Sequence, residues 1–158
     1  MENMLKLGPK WKNGSPWDEG GNTEIVQILI SYDKAKIKSI QFVYADKPTG
    51  VRLSPVYGEP TGSYFKSVLF DYPSEYLTSM SGVCYDNYVC NGITASIAFG
   101  TNIRKYGPFG MSPRYCSSEF NYEFGARGFG GFHGTAKKSC LGSIGIYVKP
   151  IQKLKNNR

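Results

Sequence analysis

Long apolar runs are missing from this chain. No stretch approaches the roughly 20 consecutive apolar residues that a membrane-spanning helix needs. The opening Met1-Glu2-Asn3-Met4-Leu5-Lys6-Leu7-Gly8-Pro9 lacks the apolar core of a secretory leader, so a cytoplasmic location is expected. Histidine occurs once and cysteine four times, at Cys84, Cys90, Cys116 and Cys140. No two cysteines form a C-x-x-C pair, which removes the usual zinc and thioredoxin-type signatures. Cys84 and Cys90 could face each other across a hairpin, but reduced thiols are expected in a reducing compartment. Acidic side chains are scarce, 12 against 19 basic ones, giving a net charge of +7. Part of that excess sits near the two ends, at Lys6, Lys10 and Lys12 and at Lys149, Lys153, Lys155 and Arg158. No segment interleaves basic and aromatic residues as a nucleic-acid groove does, so a specific nucleic-acid partner is not expected. Helical periodicity is also absent over any window of a dozen residues.

Strand and turn signals are abundant instead. The chain carries 12 Tyr, 9 Phe and 19 Gly in 158 residues, a length that suits one domain with a real core. Ile25-Val26-Gln27-Ile28-Leu29-Ile30 is a β-branched run, and Ile37 to Tyr44 alternates apolar and polar over most of its length. Tyr64, Lys66, Val68 and Phe70 share one side of a third run, and Phe120 to Phe124 alternates cleanly. Between the runs lie Lys47-Pro48-Thr49-Gly50, Gly58-Glu59-Pro60-Thr61-Gly62, Gly107-Pro108-Phe109-Gly110 and Gly128-Phe129-Gly130-Gly131, all read as turns. The expected class is all-β.

Three segments share a Ser-Ile-x-apolar pattern: Ser39-Ile40-Gln41-Phe42, Ser96-Ile97-Ala98-Phe99 and Ser143-Ile144-Gly145-Ile146. The recurrence in the same strand context argues for approximate threefold internal symmetry. A prism with three sheets as walls would bury three apolar faces around one core, although a trefoil or a two-sheet sandwich also fits the bare pattern.

Five motifs in order carry a resemblance. Gly8-Pro9 followed by Asn13-Gly14 and Trp17-Asp18-Glu19-Gly20 looks like the opening of jacalin-related lectins. Glu75-Tyr76-Leu77-Thr78-Ser79-Met80-Ser81-Gly82 is similar to their central element, and Tyr106-Gly107-Pro108-Phe109-Gly110 to a family turn. Gly131-Phe132-His133-Gly134 and Ser143 to Pro150 resemble the closing strands. The resemblance covers residues 8–150. It implies a β-prism of three four-stranded antiparallel sheets with pseudo-threefold symmetry, no enzymatic activity and no cofactor. It divides the chain into an N-terminal extension (1–7), a jacalin-type domain (8–150) and a basic tail (151–158) expected to be loose. A single uncleaved chain without a leader is similar to the mannose-type, cytosolic plant branch.

In that family a monosaccharide sits at one end of the prism. A glycine-rich early loop supplies backbone donors, and a late G-x-x-x-D loop supplies a carboxylate that accepts from two sugar hydroxyls. Here Gly142 stands at the carboxylate position and Lys138 at the loop's first glycine. The equivalent positions in the other two repeats are Lys38 and Ala95, so none of the three is acidic. The early loop keeps only Gly14. By resemblance, the candidate carbohydrate-binding residues are Gly14 and Ser15 of the early loop, Lys138, Ser139, Cys140, Leu141 and Gly142 of the late loop, and Asp86, Asn87 and Tyr88 of a third. Asp86 is the nearest remaining acceptor. His133 is expected to be a structural turn residue, Trp17 a core or sheet-edge anchor, and Trp11 the freer ring for stacking on a sugar.

The implied partners are glycans or glycoproteins, read by an altered or weakened site, in plant defence. The alternative is a protein-interaction module that kept the prism and lost sugar binding, in antiviral or stress defence. A homodimer or higher oligomer, paired through the strand around Lys6-Leu7, is the expected assembly. Membrane insertion is not expected.

Overall fold

The computed structural model describes residues 3–9, 13–86, 92–111, 113–115 and 117–150. In chain order its strands are β1 (Leu5–Leu7), β2 (Ser15–Gly20), β3 (Ile25–Tyr32), β4 (Ile37–Asp46), β5 (Gly50–Leu53), β6 (Tyr57–Gly58) and β7 (Tyr64–Leu69). They continue as β8 (Leu77–Tyr85), β9 (Thr94–Thr101), β10 (Lys105–Gly110), β11 (Ser117–Glu123), β12 (Phe129–Ala136) and β13 (Leu141–Val148). No helix occurs among the described residues.

The strands form three antiparallel sheets, ordered β1-β13-β12-β2, β10-β9-β8-β11 and β5-β4-β3-β7. In the third, β5 pairs with Val43 to Asp46 of β4, and β6 pairs with Ser39 and Ile40 along the same edge. Together β5 and β6 make one broken outer strand, so every wall is four strands wide. Each wall is built on a central hairpin: β3–β4, β8–β9 and β12–β13. This is the prism architecture that the family resemblance implied, and it excludes the trefoil and the two-sheet sandwich that the bare pattern left open. β1 lies inside the stretch read as an N-terminal extension and pairs with β13, Leu5 opposite Val148.

The repeated serines explain how three walls close on one core. Ser39, Ser96 and Ser143 are all buried, at 4%, 2% and 1% exposure. By alternation they take the face opposite Ile40, Ile97 and Ile144, which point into the core with Phe42, Phe99 and Phe132. Phe42 and Phe132 stack with centroids 4.4 Å apart, and Phe99 meets Phe132 edge-on at 6.2 Å. One aromatic from each wall thus fills the prism centre. Trp17 joins this core, stacked on Tyr57 at 4.1 Å. If the symmetry governs packing, Ile40→Val, Ile97→Val and Ile144→Val should each lose a similar amount, about 0.5–1.5 kcal/mol, in denaturant unfolding.

Two expected turns are strands. Gly107-Pro108-Phe109-Gly110 lies in β10, where a bulge falls between Tyr106 and Phe109. Gly107, at φ +95°, absorbs that irregularity. Phe129-Gly130-Gly131 opens β12. Its glycines answer to close approach, because a Cβ on Gly131 would stand 2.6 Å from the Glu19 carbonyl on β2. His133 is consequently a strand residue in β12, not a turn residue.

Candidate ligand-binding loops at one end of the prism

All three central hairpins turn at the same end. The β3–β4 connection is an Asx-type turn, with Asp33 Oδ1 accepting from the N–H groups of Ala35 (2.8 Å) and Lys36 (3.0 Å). The β12–β13 connection is closed by the Lys137 N–H donating to the Cys140 carbonyl at 2.9 Å. Cross-links join the loops. Tyr85 donates its hydroxyl to the Ala35 carbonyl at 2.6 Å. Thr94 Oγ1, fully buried, donates to the Gly142 carbonyl, also at 2.6 Å. Thr94→Val keeps the shape but leaves that buried carbonyl unpaired; a loss of about 1–2 kcal/mol is expected in thermal unfolding.

The early and late loops do meet. Gly14 (φ +115°) packs so closely that a Cβ there would lie 2.8 Å from the Ala136 carbonyl, and Ser15 pairs with Ala136 across β2 and β12. Lys138 and Ser139 are exposed at the tip. Cys140 and Leu141 are buried, at 2% and 0% exposure, so their side chains face the interior. Asp86 sits at the end of β8 and accepts from the Ser118 hydroxyl at 2.5 Å, which occupies one of its oxygens. Asn87, Tyr88, Cys90, Trp11, Cys116 and the 151–158 tail lie outside the described residues.

The three symmetry-related acceptor positions are each filled differently. Lys38, 14% exposed at its side chain, reaches Glu59 at 3.7 Å. Ala95 is fully buried. Gly142 faces Thr135: a Cβ on Gly142 would stand 2.2 Å from Thr135 Oγ1 and 2.8 Å from the Thr135 carbonyl. Thr135 also accepts the Ser143 N–H at 3.0 Å, so it is held in place. The carboxylate position is therefore closed as well as vacated. Sequence reading missed Thr135, Thr94 and Glu59. Thr135 was findable, because it faces Ser143 across its hairpin as Ser31 faces Ser39.

His133 is buried at 2% exposure, with Nε2 3.0 Å from the Leu7 carbonyl and 3.2 Å from that of Ile146. Burial holds its imidazole below the ordinary range, and Lys6 acts in the same direction, against the carbonyl hydrogen bonds. It ties β1 to the closing hairpin and meets no nucleophile in these contacts.

The family model for the jacalin-like lectin domain matches residues 7–147. The chain belongs to the jacalin-like lectin family. Among relatives, "Jacalin-related lectin 2" of Arabidopsis thaliana is 37% identical, over 95% of this chain and 89% of that protein. "Protein RESTRICTED TEV MOVEMENT 1", also from Arabidopsis thaliana, is 37% identical over 92% of this chain and 87% of the relative. A solved artocarpin–mannotriose complex matches this jacalin-type domain with a TM-score of 0.76 and 27% identity, covering 95% of this chain and 100% of that one.

Proposed function

We propose that this domain is a carbohydrate-binding lectin module, mannose-type by ancestry, whose sugar site has been altered. It acts by binding and not by catalysis. The observation that carries this reading is the closed acceptor position, Gly142 against Thr135, beside an exposed polar tip at Lys138 and Ser139. A neutral mannose-type pocket depends on a charged acceptor for paired sugar hydroxyls, and hydrogen bonds to such a group contribute about 1.5–3 kcal/mol each. Without it, a ligand must find acceptors elsewhere. Asp86 keeps one carboxylate oxygen outside its bond to Ser118. Gly14, Ser15 and the 138–142 backbone complete the proposed surface, with Asn87 and Tyr88 kept as candidates by resemblance alone, and the Lys138 ammonium favours glycans that bring an anionic group. A cytoplasmic location, a role in plant defence and self-association through β1 belong to the same proposal.

The test is a glycan array with the folded chain, followed by titration of the best hit. A saturable hit weakened by both Lys138→Ala and Asp86→Ala supports the reading. Silence across the array from demonstrably folded protein would sink it. A second reading, a protein-interaction module on the same prism, is favoured by the lack of an acidic residue at positions 38, 95 and 142. It is supported by similarity to a relative whose name describes restricted viral movement.

A further inference from the structure

The end of the prism remote from the hairpin loops holds a cavity of about 270 Å³. Its floor is made by the first residues of the three central strands, Ile25, Leu77 and Phe129, all buried at 4% exposure or less. These are equivalent by the internal symmetry. Each lies the same number of residues before the one that faces its repeat serine, namely Ser31, Val83 and Thr135. The cavity therefore opens on the pseudo-threefold axis. An apolar floor below a few polar groups is the usual make-up of a small-molecule site.

The rim breaks the symmetry in charge. Two carboxylates line the cavity, and each is engaged by neighbouring groups, one of which, Tyr72, is itself part of the lining. Glu24 pairs with Lys47 at 2.8 Å and accepts from the Tyr72 hydroxyl. Glu75 accepts from the Asp71 N–H, Thr101 and Tyr106, with Arg104 alongside at 4.0 Å. Two cations also line it, Arg127 and Lys149. Among the described residues neither comes within 4.0 Å of a carboxylate oxygen, though the Lys149 charge acts on Glu24 from further off. Arg127 instead lies over the Tyr76 ring, 4.6 Å from its centroid, which holds the guanidinium at the mouth. Its backbone takes φ +60°, a conformation shared among described non-glycine residues only with Asn3, and one that carries an energetic cost for arginine.

We propose that this axial cavity binds a small organic carboxylate with an apolar body. The anionic group is met by Arg127 and Lys149, and the body rests on Ile25, Leu77 and Phe129. A polyol is a poorer fit. Sugar hydroxyls need acceptors as well as donors, and with Glu75 buried and fully engaged only Glu24 Oε2 is left for them among the lining carboxylates. The site lies at the other end of the prism from the glycan loops, so it stands or falls separately from the lectin reading.

The test is a titration of the full chain with phenylacetate, followed by calorimetry and by methyl NMR signals of Ile25 and Leu77. Saturable shifts at those methyls are expected, with an affinity about millimolar for a ligand of this size. Phenylacetamide, the uncharged isostere, should bind at least about tenfold more weakly, as should the Arg127→Gln/Lys149→Gln double variant. The glycan-array profile of that variant should match the parent. The proposal is overturned if the Ile25 and Leu77 signals do not move, if phenylacetamide binds equally, or if glucuronate matches phenylacetate. A variant that misfolds is replaced by Lys149→Gln alone, for which a several-fold loss is expected and no loss would overturn the assignment.

Discussion

Restoring aspartate at position 142 is expected to destabilise the domain and to create no mannose pocket. The site has no room, since a Cβ at 142 would stand 2.2 Å from Thr135 Oγ1 and 3.0 Å from the Thr135 carbonyl carbon. The threonine side chain can rotate, but the backbone opposite cannot move without disturbing the Ser143 N–H bond and the Thr94 bond to the Gly142 carbonyl. Overpacking costs about 1–3 kcal/mol, and a carboxylate in a buried strand adds to that. The expected loss is about 2–4 kcal/mol, roughly 5–15 °C in Tm for a domain of this size. Gly142→Ala isolates the steric part and should carry most of the loss. Thermal unfolding with and without methyl α-mannoside checks both statements. An unchanged Tm together with new mannose binding would contradict them.

Glu75→Ala should be the more damaging substitution. Its side chain is fully buried and receives the Asp71 N–H at 2.9 Å, the Thr101 hydroxyl at 2.7 Å and the Tyr106 hydroxyl at 2.9 Å. Those donors come from the turn before β8, the end of β9 and the start of β10, so one carboxylate fastens the remote end of a whole wall. Removing one partner of such a buried network costs about 3–5 kcal/mol, or roughly 10 °C of Tm. Glu75→Gln retains acceptor capacity and should lose less. If Glu75→Ala unfolds at the parent temperature, the network contributes nothing of this size.

The same groups set the response to acid. Burial would raise the Glu75 pKa, but the bonds from Asp71, Thr101 and Tyr106 and the charge of Arg104 outweigh it, and the carboxyl lies below its ordinary value. Its stabilisation is present above the unfolded-chain value near 4.5 and is lost as pH falls through the lower folded value. His133 acts earlier. Its folded pKa is depressed below 6.5, so the unfolded chain takes up the proton first and stability declines as pH falls through that range. Unfolding curves from pH 7 to 3 should show two stages of loss, the first absent in a folded His133→Gln variant.

Much of the fold was legible because the walls repeat. The Ser-Ile pattern marks the same inward register three times, for Ile40, Ile97 and Ile144, whereas the burial of Ser39, Ser96 and Ser143 on the opposite face depends on what covers each wall. Glycine was the misleading residue. At 107 and 130–131 it was read as punctuation, whereas in the folded chain it permits a bulge and a close strand approach, which depend on what lies across the sheet. The candidate site was half legible. That Gly142 is not a carboxylate can be read directly, but that Thr135 fills the space requires knowing which β12 residue faces it. The axial cavity was hidden for a similar reason. Glu24, Tyr76, Arg127 and Lys149 are scattered along the chain and converge only when three strand beginnings share one end.

The most direct measurement is a calorimetric titration of the intact chain with methyl α-mannoside. With no acidic side chain at 38, 95 or 142, no saturable heat is expected below about 10 mM, since even millimolar affinity requires about 4 kcal/mol. A stoichiometric isotherm at about 1 mM or tighter would show a working mannose pocket and contradict the altered-site account.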